Sequence, residues 1–327
     1  MHILIVHNGV FPALRYGGTE RVLWYLGKEL NKTGHKVTLL ARRGSQFPFG
    51  ELRFADSALP VSRQIPDCVD VVHFNNCTSI EPINKPYIVT MHGNINGGVE
   101  LDANTVFVSR NHANRYGSAS FVYNGLDWDD YGQPNLNAPR SYAHFLGNAA
   151  WRVKNLKGAI RVASMAKQKL YVLGGSRLNF KMGFRLTLDP NIRFAGMVGG
   201  ERKLSLLRRS KALVFPVRWH EPFGLAIIES LYFGCPVLGT PYGSLPELTP
   251  PDVGFLSARS DELAAALTEI DKYSPQLCHE CARDCFNSKI MATAYIEKYD
   301  AVLNGQPLNA NHPKLQNNQQ IKFLNWD

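Results

Sequence analysis

The chain has 327 residues, of which 45% are hydrophobic and 19% charged. That length suggests two domains, and that composition excludes wholesale disorder and collagen-like repeats. No window approaches the ~18 apolar residues of a membrane-spanning helix. The opening Met1-His2-Ile3-Leu4-Ile5-Val6-His7 is too short, and lacks the basic lead-in, for a secretion signal. Six cysteines imply no disulfide framework, and the expected compartment is the cytoplasm, including the inner face of its membrane.

Residues 2–8 read as a buried strand. Loop 11–18 carries Pro12 and Gly17-Gly18, and Thr19 is expected to cap a helix with the apolar face Val22, Leu23, Leu26 and Leu30, ending near Gly34. Strands are predicted over 36–41, 70–75, 87–91, 105–109 and 120–123. Asn124-Gly125 makes a tight turn, and the polar stretch 131–140, with Pro134 and Pro139, reads as an interdomain linker. The series then restarts, with strands over 143–146, 169–173, 192–195, 212–215 and 236–239. Helices are predicted over 157–167, 201–209, 224–233 (Gly234 at the C-cap position), 261–270 and 289–303. Beyond Gly305 the Asn- and Gln-rich tail is expected to be loosely ordered.

Short apolar runs alternating with helical periods are the pattern of parallel α/β structure. The expected fold is therefore two Rossmann-like doubly wound domains facing each other across a cleft, with ligand at the carboxyl ends of the strands. The expected units are 1–140, 141–288, a C-terminal helix 289–305 packing back toward the first domain, and a polar tail 306–327.

Charge is unevenly placed. Residues 1–140 hold 13 Lys+Arg against 12 Asp+Glu, residues 141–218 hold 16 against 2, and residues 219–327 hold 7 against 13. The basic block calls for an acidic partner or a solvated face: nucleotide phosphates, an acidic acceptor, anionic lipid or nucleic acid. Nucleic acid is disfavoured, because the chain has no zinc finger, RNA-recognition signature or aromatic–basic stripe.

The strongest local signal is Phe215-Pro216-Val217-Arg218-Trp219-His220-Glu221-Pro222-Phe223-Gly224-Leu225-Ala226-Ile227-Ile228-Glu229. A strand ends there and a Gly-containing turn opens a helix, whose first-turn N–H groups and dipole suit an anion. Glu229 lies about 7–8 Å along the axis from Gly224, close to one pyrophosphate-to-ribose step. A carboxylate there can accept ribose hydroxyls while phosphate sits at the helix start, and Glu221 stands where a sugar would lie. An amphipathic helix with incidental glutamates fits the same spacing.

The paired glutamates with Pro-Phe-Gly-Leu after the first resemble the signature of retaining GT-B glycosyltransferases of family four. Further landmarks are similar in order. Tyr16-Gly17-Gly18-Thr19-Glu20-Arg21-Val22 resembles the first Gly-rich loop, Thr90-Met91-His92-Gly93 the strand-end histidine, and Tyr123-Asn124-Gly125-Leu126-Asp127 the hinge-side turn. Val172-Leu173-Gly174-Gly175, Phe194-Ala195-Gly196, Gly234-Cys235-Pro236-Val237, Gly243-Ser244-Leu245-Pro246-Glu247 and Gly254-Phe255-Leu256 complete the series. The resemblance implies an acceptor-side first domain and a nucleotide-sugar-binding second domain. It implies that Glu229 binds the donor ribose, that Glu221 binds sugar hydroxyls, and that the amides of Phe223, Gly224 and Leu225 hold sugar and phosphate. Gly17 and Gly18 would approach the donor phosphates, and His92 would sit over the donor sugar. On its own, His92 reads equally as a core histidine at a strand end.

One position departs from the family. An arginine usually follows the strand at Phe145-Leu146-Gly147, with a lysine about five residues on; here Asn148 holds the arginine position. Lys154 best matches the lysine, Arg152 is the candidate replacement for the missing guanidinium, and Lys157 fits a solvated helix face.

Two motifs are discounted. Asp127-Trp128-Asp129 spells a D-x-D metal clamp but follows a turn outside the nucleotide half, so no metal or other cofactor is expected. Cys278, Cys281 and Cys285 fall on one helix face without the second ligand pair that zinc needs.

The resemblance implies a retaining, metal-independent transfer of a hexose from a nucleoside diphosphate sugar, UDP-linked by preference, to a hydroxyl of a sugar, lipid-linked or small-molecule acceptor. The loop Gly93-Asn94-Ile95-Asn96-Gly97-Gly98 would border that acceptor. With a nearly neutral first domain, at most weak peripheral membrane contact is expected. A Rossmann-type oxidoreductase is disfavoured, since G-x-G-x-x-G is missing after the first strand. A non-catalytic nucleotide-sugar-binding protein stays open because of Asn148.

Overall fold

The computed structural model describes residues 1–13, 17–95, 97–317 and 322–327. They form two units, the first from 1–13, 17–127 and 286–317, the second from 128–285 and 322–327.

In the first unit, β1 (His2–Val6), β2 (Lys36–Ala41), β3 (Glu51–Phe54), β4 (Val71–Asn75), β5 (Tyr87–Met91) and β6 (Thr105–Phe107) form one sheet in the order β3-β2-β1-β4-β5-β6. Every pairing is parallel, with Ile3 beside Val37 on one side and Val71 on the other. Ile3, Leu4 and Ile5 are wholly buried, as expected where helices cover both faces of a parallel sheet. Helix α1 (Gly18–Lys32) buries Val22, Leu23, Leu26 and Leu30, the predicted face. Its N-cap is Gly17 rather than the expected Thr19, which lies inside the first turn. A short helix α2 (Arg110–Arg115) is capped by Ser109, and the strand predicted over 120–123 reduces to a single bridge between Phe107 and Phe121.

The C-terminal helix Ser288–Leu303 belongs to this unit and packs on α1 and β5. Tyr299 Oη lies 2.9 Å from His73 Nδ1, His73 Nε2 lies 2.7 Å from Thr90 Oγ1, and Tyr295 Oη lies 3.1 Å from the same Thr90 oxygen. Burial lowers the His73 imidazole to about 3, so this network is neutral.

In the second unit, β7 (Tyr142–Leu146), β8 (Leu170–Leu173), β11 (Ile192–Gly196), β12 (Ser210–Phe215), β13 (Val237–Gly239) and β14 (Gly254–Leu256) are ordered β11-β8-β7-β12-β13-β14. Around the sheet run α3 (Leu156–Met165), α4 (Gly200–Arg208), α5 (Leu225–Tyr232), α6 (Leu245–Leu248), α7 (Ser260–Thr268) and α8 (Pro275–Cys285). The strands β9 (Leu178–Asn179) and β10 (Arg185–Leu186) pair only with each other, as an antiparallel ribbon. Both large sheets have the doubly wound order, so each has a switch point: β1 against β4, and β7 against β12. Loops diverge there at the carboxyl ends and leave room for ligand.

Two expectations are corrected. The division falls after Asp127, not at 140/141, and again after Cys285, not at 288/289. Segment 128–140 is part of the second unit: Trp128 stacks on Tyr232 at 4.2 Å, and Arg140 donates to the carbonyls of Ser210 and Phe233, each at 2.7 Å. The tail is also tied down where it is described. The amides of Lys314 and Gln316 donate to the carbonyls of Tyr116 and Arg115, each at 2.9 Å, and Asp327 accepts from the Ser260 amide at 2.7 Å.

Candidate functional site

At the second unit's switch point, the loop after β7 is built by close backbone contact. A Cβ on Gly174 would lie 1.9 Å from the Gly147 carbonyl oxygen. The chain then makes a short turn, Arg152–Lys154, and reaches Asn155 in the left-handed region at φ 54°. Asn155 Oδ1 accepts from the Gly158 amide at 3.0 Å and so caps α3. Its Nδ2 donates to the Pro216 carbonyl at 2.9 Å, and the Arg218 amide donates to Val153 at 2.7 Å. These bonds stitch the β7 loop onto the β12 loop and turn Lys154 inward.

The Lys154 ammonium lies 2.5 Å from Glu221 Oε2, and Trp219 Nε1 donates to that oxygen at 2.8 Å. The same ammonium sits 5.0 Å over the Trp219 ring and 5.1 Å over Phe215. Glu221's backbone is clamped as well. The Ser244 amide donates to its carbonyl at 2.9 Å, and a Cβ on Gly243 would lie 2.2 Å from its nitrogen. Three residues on, Gly224 caps α5 at φ 88°, in the region that favours glycine. Its own Cβ would press on Ile227 Cδ1 at 3.0 Å and Glu221 Cγ at 3.2 Å. The first-turn amides of α5, among them Leu225 and Ala226, have no carbonyl partner within the helix.

Glu229, on α5, is almost fully buried. Its Oε1 accepts from Tyr131 Oη at 2.8 Å and forms an ion pair with Lys203 of α4. Two buried lysine–glutamate pairs therefore stand on either side of a helix start. Such pairs add little net stability when intact, but losing one partner strands a charge in a poorly solvated place.

Lys154, Glu221, Phe223, Gly224, Leu225 and Glu229 are thus gathered by two loops and one helix. Arg152 diverges from Lys154: it is exposed, its guanidinium lies 4.8 Å over the Phe323 ring, and with Lys157 and Arg218 it lines a cavity of about 310 Å³. Lys203 and Tyr131 were not expected. The signal for Lys203 was available: it shares the buried face of α4 with Leu204 and Leu207, an odd place for a lysine without a buried partner. Tyr131 was hidden by its place in a polar, proline-containing stretch.

The first unit's switch point has different chemistry. His7 Nε2 lies 3.5 Å from Glu20 Oε1, and this contact holds the Glu20 carboxyl below its usual range. Gly17 leaves room for that carboxylate, since a Cβ there would lie 2.7 Å from Glu20 Oε2. Gly18 opens α1. His92 follows β5; its amide donates to Asn76 Oδ1 and its Nε2 lies 2.9 Å from Asn75 Oδ1. Asn75 Nδ2 donates to the Val6 and His73 carbonyls, so Oδ1 is the acceptor and His92 Nε2 carries the proton. Desolvation lowers this imidazole to about 3 and keeps it neutral at pH 7. Tyr16 and Asn96 lie outside the described residues.

Of the discounted motifs, Asp127 is paired with Lys28 at 2.8 Å and Lys32 at 3.4 Å. Burial raises the Cys281 thiol to about 11 and Cys278 further, so both are protonated at neutral pH. Among the described residues no group of three His, Cys, Asp or Glu is placed to hold a metal ion.

Comparison with known families matches residues 128–283 to glycosyl transferases group 1, a span that follows the second unit from its first residue nearly to Cys285. The second unit is thus similar to glycosyl transferases group 1 over almost its whole length. The paired glutamates, Lys154 and α5 all lie within the matched span. Among curated proteins, the chain is 23% identical over 151 residues to an uncharacterized 41.2 kDa protein in the cps region of Klebsiella pneumoniae, an alignment covering 44% of this chain and 41% of that protein. Among solved structures, AviGT4, a glycosyltransferase involved in avilamycin A biosynthesis, is 22% identical with a TM-score of 0.75, covering 93% of this chain and 98% of its own. Anabaena HepE in complex with UDP-glucose is 15% identical with a TM-score of 0.63, covering 92% and 100%. At these identities the likeness is one of fold. That fold is the GT-B architecture, and the likeness covers both units.

Proposed function

We propose that the protein transfers a hexose from a nucleoside diphosphate sugar, UDP-linked by preference, to an acceptor hydroxyl, with retention of configuration and without a metal. The observation that carries this reading is the pair of buried ion pairs, Lys154–Glu221 and Lys203–Glu229, flanking the start of α5. Glu229 would accept the ribose hydroxyls and Glu221 those of the sugar, while the amides at Phe223, Gly224 and Leu225 and the Lys154 ammonium take up charge on the departing diphosphate. Lys203 and Tyr131 would hold Glu229 in place. Arg152 would add a second cation to the diphosphate in place of the arginine missing at Asn148. Gly17 and Gly18 would contribute to the donor phosphates, and His92, neutral, would hydrogen-bond the donor sugar rather than act as an acid.

The fold shared with a structure holding UDP-glucose supports the choice of donor, and the cps-region relative supports a role in surface polysaccharide synthesis. The acceptor would be a sugar, a lipid-linked sugar or a small molecule. Six free thiols agree with a cytoplasmic location.

A thermal-shift screen with UDP, GDP, ADP and their common sugars tests the donor site, because a ligand that binds only the folded state raises the midpoint. UDP or a UDP-sugar is expected to raise it; no response to any nucleotide would refute the reading. Glu229→Ala should then weaken UDP binding roughly tenfold to a hundredfold, the worth of one charge-assisted hydrogen bond. Transfer should survive EDTA. Activity lost on chelation and restored by Mn²⁺ would bring Asp127 and Asp129 back as ligands.

A further inference from the structure

The ribbon β9–β10 is inside out. From 178 to 188 every even position is apolar: Leu178, Phe180, Met182, Phe184, Leu186 and Leu188. In an ordinary surface ribbon that alternate set would face the core. Here all six are exposed, Phe180 by 73%, Leu188 by 79%, and Met182 and Phe184 by 61% each. Of the odd-numbered positions, Arg185 and Thr187 face inward. Arg185 is buried, donating to the Ser176 carbonyl at 2.9 Å and to Thr187 Oγ1 at 3.2 Å, with its guanidinium 5.0 Å over Phe194. Arg177 donates to the carbonyls of Thr187 and Asp189. Asn179 Nδ2 ties the tip by donating to the Lys181 and Gly183 carbonyls at 2.7 and 3.1 Å. The apolar face is therefore held outward by the side-chain hydrogen bonds of Arg177, Asn179 and Arg185. Phe180 and Phe184 lie side by side, with centroids 5.8 Å apart.

Charge decides what covers this face. The ribbon sits in the block 141–218, which holds 16 Lys+Arg against 2 Asp+Glu. Lys181 stands exposed at the tip, and Lys157 is exposed at the cavity that Met182 and Phe184 also line. An apolar wedge ringed by cations fits a surface that is negative outside and hydrocarbon within. A second copy of this chain would set like charge against like. We propose that this ribbon docks the protein peripherally on an anionic lipid bilayer, its even-numbered side chains entering the headgroup–acyl boundary and Lys181 pairing with lipid phosphate.

The site lies in the second unit and does not depend on which sugar or nucleotide the protein uses. The test is sedimentation of the full chain with phosphatidylglycerol–phosphatidylcholine vesicles and with phosphatidylcholine vesicles alone. The wild type should pellet with the anionic vesicles and be released by salt. The triple variant Leu178→Ser, Phe180→Ser, Leu188→Ser should partition at least about tenfold less, and Lys181→Glu several-fold less. Phe180→Trp should add indole fluorescence that bromine-labelled acyl chains quench, a signal that bulk electrostatic adsorption would not give. The proposal is overturned if the triple variant binds as well as the wild type, if the fluorescence added by Phe180→Trp is not quenched, or if the wild type ignores anionic vesicles. It is equally overturned if the triple variant changes only the self-association seen by light scattering. The serine substitutions are at exposed positions, and an unchanged thermal midpoint will show that each variant is folded.

Discussion

The two units share one strand order and one kind of switch point, yet the chemistry there is opposite. Beside β1 and β4 stand two imidazoles, two asparagines and one carboxylate, and His92 is neutral. Beside β7 and β12 stand two lysine–glutamate pairs around the start of α5. The scaffold supplies an opening at the carboxyl ends of the strands and nothing more; the loop residues decide whether that opening handles charge or neutral hydroxyls. One switch point is lined by buried ion pairs, the other by neutral side chains and a partly solvated carboxylate.

The largest effect should come from breaking a pair in the second unit. Lys203→Met takes the ammonium away from a Glu229 carboxylate that stays buried against Tyr131. It should cost about 3–5 kcal/mol in denaturant unfolding. Glu20→Gln in the first unit, where the partner is a histidine and the carboxylate is partly solvated, should cost well under half of that. Equal losses would erase the contrast.

Acid should reverse the ranking. His73, His92 and His112 in the first unit, and His144 in the second, are lowered by burial to about 3. Each is neutral when folded but takes up a proton near its ordinary value when unfolded. Their contribution is therefore complete above about pH 6.5 and declines as the pH falls from there toward 3. Hydrogen exchange followed from pH 7 to 5 should show amides of the first unit losing protection before those of the second. Loss in the opposite order would refute this account.

The smallest effect sharpens the comparison within the second unit. If Arg152 acts on the diphosphate, Arg152→Ala should lower turnover at least about tenfold, a barrier change of roughly 1.4 kcal/mol. Lys157→Ala should be nearly silent. The assignment of this loop fails if the two results are exchanged.

What the sequence made legible follows from how local each signal was. The face of α1 and the Gly224 turn rest on residues within one or two turns of each other, and both were read closely. Strand β3, Glu-Leu-Arg-Phe, is a sheet edge with charged side chains and no apolar run, so only its pairing with β2 identifies it. The division after Asp127 escaped because 128–140 is polar and proline-bearing, yet Trp128, Tyr131 and Arg140 are anchored to residues some 70–100 positions away. At the site, the glutamates and Lys154 were legible through spacing and resemblance. The partner that neutralises Glu229 was not, because Lys203 lies 26 residues upstream on another helix.

The return of the helix Ser288–Leu303 to the first unit bears on how the chain is made. The last covering layer of the first unit, with the tyrosines that cap His73 and Thr90, is translated after the whole of 128–285. On the ribosome the first sheet must therefore wait, partly uncovered, while nearly all of the second unit emerges and can fold ahead of it. A nascent chain halted after Cys285 should show native-like protection in the second sheet and little in the first, although the first was synthesised earlier.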